Sequence, residues 1–211
     1  MLPTKEAYIQ ALNQRHGEEL QSRFSSATVA VCGLGGLGSN IAVSLARAGI
    51  GKLILIDFDR VDLTNLHRQQ YKVSQIGMYK TEAMLDHLRE INPFLELKAH
   101  TVRITEQNAA ELLKDADIIC EAFDDAKCKA MLVDIVFGIM QKKYLVAASG
   151  MAGLGSANSI KTRKIAERFY LCGDEASDVA DGIGLVSSRV LLCAAHQAHM
   201  VLRILAEKFE T

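Results

Sequence analysis

The chain has 211 residues, 49% of them hydrophobic and 23% charged, which suits one well-buried core and is short for two. A formal charge of −1 lacks the cationic excess with which proteins usually meet nucleic acid phosphates, so nucleic acid is not an expected partner. No apolar run approaches membrane-spanning length and no leader-like apolar stretch opens the chain, so a cytoplasmic protein with no membrane partner is expected.

Residues 1–26 read as a polar, helix-like segment. Thr28-Val-Ala-Val-Cys32 is short, β-branched and apolar, and breaks into Gly33-Leu-Gly-Gly-Leu-Gly38 before a helical stretch from Ser39 to Ala48. That order predicts strand, turn, helix. Lys52 to Asp57 is apolar on both faces and ends in an acid, a buried strand that completes a βαβ unit. Phe58 to Gly77 is too long and polar for a simple turn, and such loops in compact α/β domains usually carry function. Helical spacing then runs through Met84, Leu85, Leu88 and Ile91 until Asn92-Pro93 stops it. Leu95 to Ile104 alternates like a strand, and Thr105 ahead of Ala109 to Leu113 predicts a capped helix.

Further strands are expected at Asp117 to Phe123 and Tyr144 to Ala148, with a helix from Ala126 to Met140 between them and short strand-like runs in Ile160 to Cys172. Gly173 to Gly184 is acidic and flexible in composition, which predicts a mobile loop. Ser187 to Phe209 reads as a terminal helix burying Val190, Ala194, Val201 and Leu205; its Ala194, Ala195 and Ala198 suit a core or a dimer interface equally. The expected fold is α/β, a Rossmann-like, doubly wound and mainly parallel sheet with a short strand-containing C-terminal part and a terminal helix. One domain over residues 1–211 is expected.

Gly33, Gly35 and Gly38 satisfy G-x-G-x-x-G at a strand-to-helix junction, where backbone can approach phosphate at a helix N-terminus. Asp57 stands where an acid commonly hydrogen-bonds ribose. These residues predict a nucleotide but do not separate NAD from ATP, and an NAD-dependent oxidoreductase needs no more. Nucleotidyl transfer needs cations around a triphosphate as well, and Arg68 and Lys80 follow. Each has a structural alternative: Lys80 as a solvated surface lysine, Arg68 paired with Asp59 or Asp62, and Asp124-Asp125 as a helix cap.

Gly33 to Gly38, Asp57-Phe-Asp59, Asn65-Leu-His-Arg-Gln69, Lys80, Ile91-Asn-Pro93 and Asp124 together resemble the ThiF/MoeB/HesA family of ubiquitin-activating-like enzymes, over most of residues 27–150. Ala148-Ser-Gly-Met-Ala-Gly153 with Gly173-Asp174 is most similar to the short ThiF-like branch associated with thiamine biosynthesis. The resemblance implies adenylation with ATP of the C-terminal carboxylate of a ubiquitin-like sulfur carrier of the ThiS type, which ends in Gly-Gly. It also implies a homodimer. Related proteins adenylate other carriers, such as the molybdopterin type, or a carboxylate on modified tRNA. By matching motif positions, Gly36 would lie under the phosphates and Asp57 would bind ribose. Asn65 and Arg68 would hold the triphosphate, with Lys80 near the α- and β-phosphates, and Gly33, Gly35, Gly38, Asp59 and Gln69 would also line the nucleotide. Asp124 would hold Mg²⁺, with Asp125 beside it where relatives often have Asn, and Arg15 would reach the nucleotide of a second subunit.

Many relatives bind structural zinc through two C-x-x-C pairs, which this chain lacks, so structural zinc is not expected. The five cysteines form an odd set without a disulfide framework. Cys172, between a strand-like run and the acidic loop, looks the most exposed, and a thiolate there would be a candidate to receive the acyl group or handle sulfur. An ordinary semi-buried cysteine is the alternative.

Overall fold

The computed structural model describes residues 2–211, so the first residue of the expected N-terminal segment lies outside it. Two helices open the chain, α1 (Lys5–His16) and α2 (Glu18–Ser26). A βαβ unit follows, of β1 (Thr28–Cys32), α3 (Gly36–Arg47) and β2 (Lys52–Ile56), with Thr28 to Cys32 in parallel register against Lys52 to Ile56. After a long connection come α4 (Lys80–Ile91), β3 (Glu96–His100), α5 (Ala109–Leu113), β4 (Ile118–Glu121), α6 (Ala126–Ile139) and β5 (Tyr144–Ala148). The chain ends with the hairpin β6 (Lys161–Ala166) and β7 (Phe169–Gly173), then α7 (Ser187–Leu205).

The strands form one sheet in the order β3-β2-β1-β4-β5-β7-β6, parallel throughout except where β6 runs against β7. This is the mainly parallel α/β sheet expected from the alternation of strand and helix. Side chains of a strand point alternately to its two faces, so each central strand feeds two cores. Val29, Val31, Leu53 and Leu55 join the core beneath α3, α4 and α7, whereas Ala30, Cys32, Ile54 and Ile56 join the one beneath α5 and α6. Leu53, Ile54 and Leu55 are fully buried, and each such side chain is worth roughly 2 kcal/mol of apolar burial. On α7, Val190, Ala194 and Val201 are buried as the spacing requires, and the helix packs against α3.

Several boundaries differ from the sequence reading. Helix α3 starts at Gly36, inside the glycine run, because these residues take helical backbone once the turn after β1 is made. The strand expected over Leu95 to Ile104 is confined to Glu96–His100, the only part with a partner, β2. Thr105 does not cap α5 with its side chain; Asn108 is the cap residue, and its Oδ1 accepts from the Thr105 amide at 2.8 Å. The terminal helix stops at Leu205, where Glu207 turns to φ +58° and Phe209 folds back to stack on Tyr144 with ring centroids 6.0 Å apart. Among the described residues no helix is long and apolar enough to cross a membrane.

The chain reverses direction across the sheet between β1 and β4. To one side of β1 the order runs β2, β3; to the other it runs β4, β5. The crevice outside the carboxyl ends of strands at such a switch is where open α/β sheets bind ligands.

Candidate functional site

The turn leaving β1 is shaped by close approaches. Gly33 has φ +95°, and a Cβ there would stand 2.7 Å from the Ala122 carbonyl oxygen at the end of β4. Glycine is therefore required both for conformation and for space. A Cβ on Gly38 would overlap the Gly33 carbonyl, so the first turn of α3 presses directly on the end of β1. No side chain caps that helix at Gly35, which leaves its first amides open at the mouth of the switch.

Asp57, at the end of β2, is buried and ties the turn down. Its Oδ2 accepts from the Leu34 amide at 2.6 Å and its Oδ1 from the Asp59 amide at 2.7 Å. Each oxygen retains acceptor capacity beyond these bonds. Asp59 in turn receives Lys80 Nζ at 2.9 Å on Oδ2, and the Lys80 amide donates to the Asp59 carbonyl at 2.9 Å. Lys80 is the first residue of α4 and only 6% exposed, so it is not a solvated surface lysine. The connection between β2 and α4 is thereby folded back over the sheet end.

Within that connection, Asn65 and Arg68 sit on one short helical turn. Asn65 Oδ1 accepts from Arg68 Nη2 at 2.9 Å. The Arg68 Cγ lies 3.4 Å from where a Gly36 Cβ would be, so the side chain runs along the start of α3. Its Nε is buried without a hydrogen-bond partner. Burial pulls the guanidinium below its ordinary pKa range, and the charge of Asp124 works against that shift. Neither pairing considered for Arg68 occurs: Asp59 holds Lys80, and Asp62 caps its own turn by accepting from the Thr64 amide at 2.8 Å. Gln69 is buried as well, with Nε2 3.7 Å from the Gly35 Cβ position and Oε1 without a partner.

Asp124 is exposed in the turn between β4 and α6. Asp125 accepts from the Cys128 amide at 2.8 Å and so caps α6, which holds its carboxyl below the usual range. The structure thus brings Gly33, Gly35, Gly36, Gly38, Asp57, Asp59, Asn65, Arg68, Gln69, Lys80 and Asp124 to one mouth, at the ends of β1, β2 and β4. Arg15 does not join them. It is exposed on α1, whose Leu12 packs beside Gly49 just ahead of β2, at the opposite end of the sheet.

A model of the ThiF family matches residues 8–211. The chain belongs to the ThiF family. Among curated relatives, an adenylyltransferase and sulfurtransferase MOCS3 of Aedes aegypti is 36% identical over 136 residues, which are 64% of this ThiF-family chain and 31% of the relative. UBA4 of Lodderomyces elongisporus, of the same description, is 29% identical over 192 residues, 88% of this chain and 42% of its own length. The chain therefore spans less than half the length of these relatives. Among solved structures, E. coli tRNA N6-threonylcarbamoyladenosine dehydratase TcdA in complex with ATP superposes with a TM-score of 0.87 at 22% identity, covering 99% of this chain and 98% of that one. E. coli MccB with succinimide gives 0.72 at 21% identity, covering 99% and 66%. At these identities the likeness is one of fold.

In the ThiF-family chain Cys172 is not exposed, contrary to the sequence reading. It lies on β7 between β5 and β6, at 0% exposure, and burial pushes its thiol up to about 12. A thiol held protonated in the core is a poor nucleophile. The loop after it is anchored where it begins: Asp174 accepts from the Ala176 and Ser177 amides and from Ser177 Oγ, and pairs with buried Arg189 of α7. The sequence reading missed Arg189, and it missed Glu121, which is 1% exposed and bound by Lys129 at 2.9 and 3.0 Å. A lone arginine in an apolar helix and an acid closing an apolar strand were the available signals, since such charges are seldom buried unpaired.

Proposed function

We propose that this chain is an ATP-dependent adenylyltransferase that activates the C-terminal glycine carboxylate of a ubiquitin-like sulfur carrier, of the ThiS type used in thiamine biosynthesis. What supports this reading is the grouping of Arg68, which runs along the uncapped start of α3 and feels the charge of Asp124, with Lys80, which Asp59 holds beside the Asp57-bound glycine turn. The pocket suits a nucleotide by its own chemistry. Arg68 Nε and Gln69 Oε1 are buried without partners. The curated relatives described as adenylyltransferases support the same class.

In this reading a carboxylate oxygen of the carrier attacks the α-phosphorus of ATP and pyrophosphate leaves. The protein supplies position and electrostatics, and no side-chain nucleophile is needed. The first amides of α3 and the backbone of Gly33 to Gly38 receive phosphate oxygens. Arg68, oriented by Asn65, and Lys80, held by Asp59, offset the charge that gathers on the leaving group. Gln69 bonds the same triphosphate, and Asp57 and Asp59 face the ribose. Asp124, with Asp125 beside it, would hold Mg²⁺, a hard cation suited to carboxylate, water and phosphate oxygen, which would supply positive charge against the phosphates. Arg15 is free to serve the site of a second copy in a homodimer, and the loop from Gly173 to Gly184 closes over the carrier's tail. We take residues 1–211 as one such domain, working in the cytoplasm.

Exchange of radiolabelled pyrophosphate into ATP, dependent on a Gly-Gly carrier, tests this function; no exchange with ThiS-type or molybdopterin-type carriers overturns it. A second reading, a carboxylate carried on modified tRNA, draws on the exposed Lys161, Arg163 and Lys164 of the β6 edge. The net charge of −1 weighs against it. Steep loss of tRNA-dependent turnover with salt would favour that substrate over a carrier protein.

A further inference from the structure

Asp124 stands on a turn that Asp125 caps at the surface and whose backbone is also bound from inside the protein. The Phe123 amide, one residue before Asp124, donates at 2.7 Å to Glu121 Oε1. Lys129, one turn into α6, donates to both Glu121 oxygens and to the Ala148 carbonyl at 3.1 Å. Gln197 of α7 adds bonds from Nε2 to the backbone carbonyls of Glu121, at 2.8 Å, and Val146, at 3.1 Å. The two ends of the β4–α6 turn are thus joined across it by one ion pair, fastened to the end of β5.

Such an arrangement is not needed for stability. Removing two charges from water is expensive, and an apolar pair of the same volume often serves a core as well or better. What an apolar pair cannot do is bind the Phe123 amide and set the direction in which the next residue leaves. We infer that Glu121 and Lys129 are positioning residues, which fix the turn so that the Asp124 carboxylate faces Arg68 and the start of α3. The inference rests on the reading of Asp124 as the group that holds the divalent cation. Outer partners that orient metal-binding groups commonly change metal affinity by 10- to 100-fold when removed.

Manganese binding to the intact protein with a non-hydrolysable ATP analogue, followed by electron paramagnetic resonance of free Mn²⁺, tests this without turnover. Glu121→Gln and Lys129→Gln should each weaken Mn²⁺ binding about 10-fold while metal-free analogue still binds. Lys129→Arg, which keeps a donor for each carboxylate oxygen, should recover what Lys129→Gln loses. A purely structural pair would lower thermal stability and metal-free analogue binding together, leaving Mn²⁺ affinity of the folded fraction unchanged, and that result overturns the inference. If the wild-type chain binds the analogue but no Mn²⁺ with it, the reading of Asp124 as the cation-holding group falls and takes this inference with it. If the wild type binds and the variants match it, only the positioning role falls. Should both glutamine variants fail to fold, Glu121→Asp, which keeps the charge and withdraws it by one methylene, is read by the same criteria.

Discussion

The turn after β1 and the corner where β7 meets α7 are both strand ends with a positive-φ glycine and buried charge, yet they are finished differently. At the corner, the Asp174 carboxylate is saturated by two amides, a hydroxyl and Arg189, whose Nη1 also donates to the Ser156 carbonyl at 2.9 Å; only Arg189 Nε is left over. At the glycine turn, α3 is uncapped, and Arg68 Nε and Gln69 Oε1 find no partner. A polar group buried without a bond costs about 1–3 kcal/mol, so the first cluster stabilises itself while the second keeps open capacity that a ligand would fill. The difference separates anchoring from binding within one sheet.

Substitutions at the glycine turn should strike catalysis far harder than stability. Lys80→Ala is expected to slow carrier-dependent pyrophosphate exchange by about 100-fold or more, the scale of losing one donor to developing charge. The melting temperature should fall only modestly, because Asp59 can turn to water. At the corner the order is reversed. Arg189→Leu leaves Asp174 without its cation and should cost about 3 kcal/mol in denaturant unfolding. ATP binding should be retained in the folded fraction, and cleavage by protease within residues 174–184 should quicken.

Gly36→Ala sharpens the contrast, because its Cβ would meet Val190 and press on the Arg68 side chain. Overpacking of this kind costs about 1–3 kcal/mol. Gly36→Ala combined with Val190→Ala should restore stability, measured by melting, yet leave ATP affinity low by titration calorimetry. Recovery of both would mean that Gly36 serves packing alone. The smallest effect is expected at Cys172. A thiol raised to about 12 stays protonated through neutral pH, so a thiol reagent on the native protein should modify half-buried Cys128 and spare Cys172. Cys172→Ser should leave adenylation intact.

The strands and helices around the glycine turn were legible because their signals are local: an apolar run of strand length, glycines, then an amphipathic helix, with Asp57, Arg68 and Lys80 following in order. Where the sequence misled, distant partners decided. Cys172 is followed directly by an acidic loop, yet β5 and β6 cover it from both sides. By spacing alone Lys80 could also be a surface cation, an alternative removed by Asp59, 21 positions earlier, which holds it in a buried ion pair. Glu121 and Arg189 carry no motif at all; their roles come from Lys129, Asp174 and the loops these bring together.

The most direct test of the central claim is the intact mass of a ThiS-type carrier after incubation with this chain, ATP and Mg²⁺. The carrier should gain one adenylyl group with wild-type protein and none with Lys80→Ala. A carrier that stays unmodified while the wild-type chain binds ATP, or one modified equally by the Lys80→Ala variant, would contradict the claim.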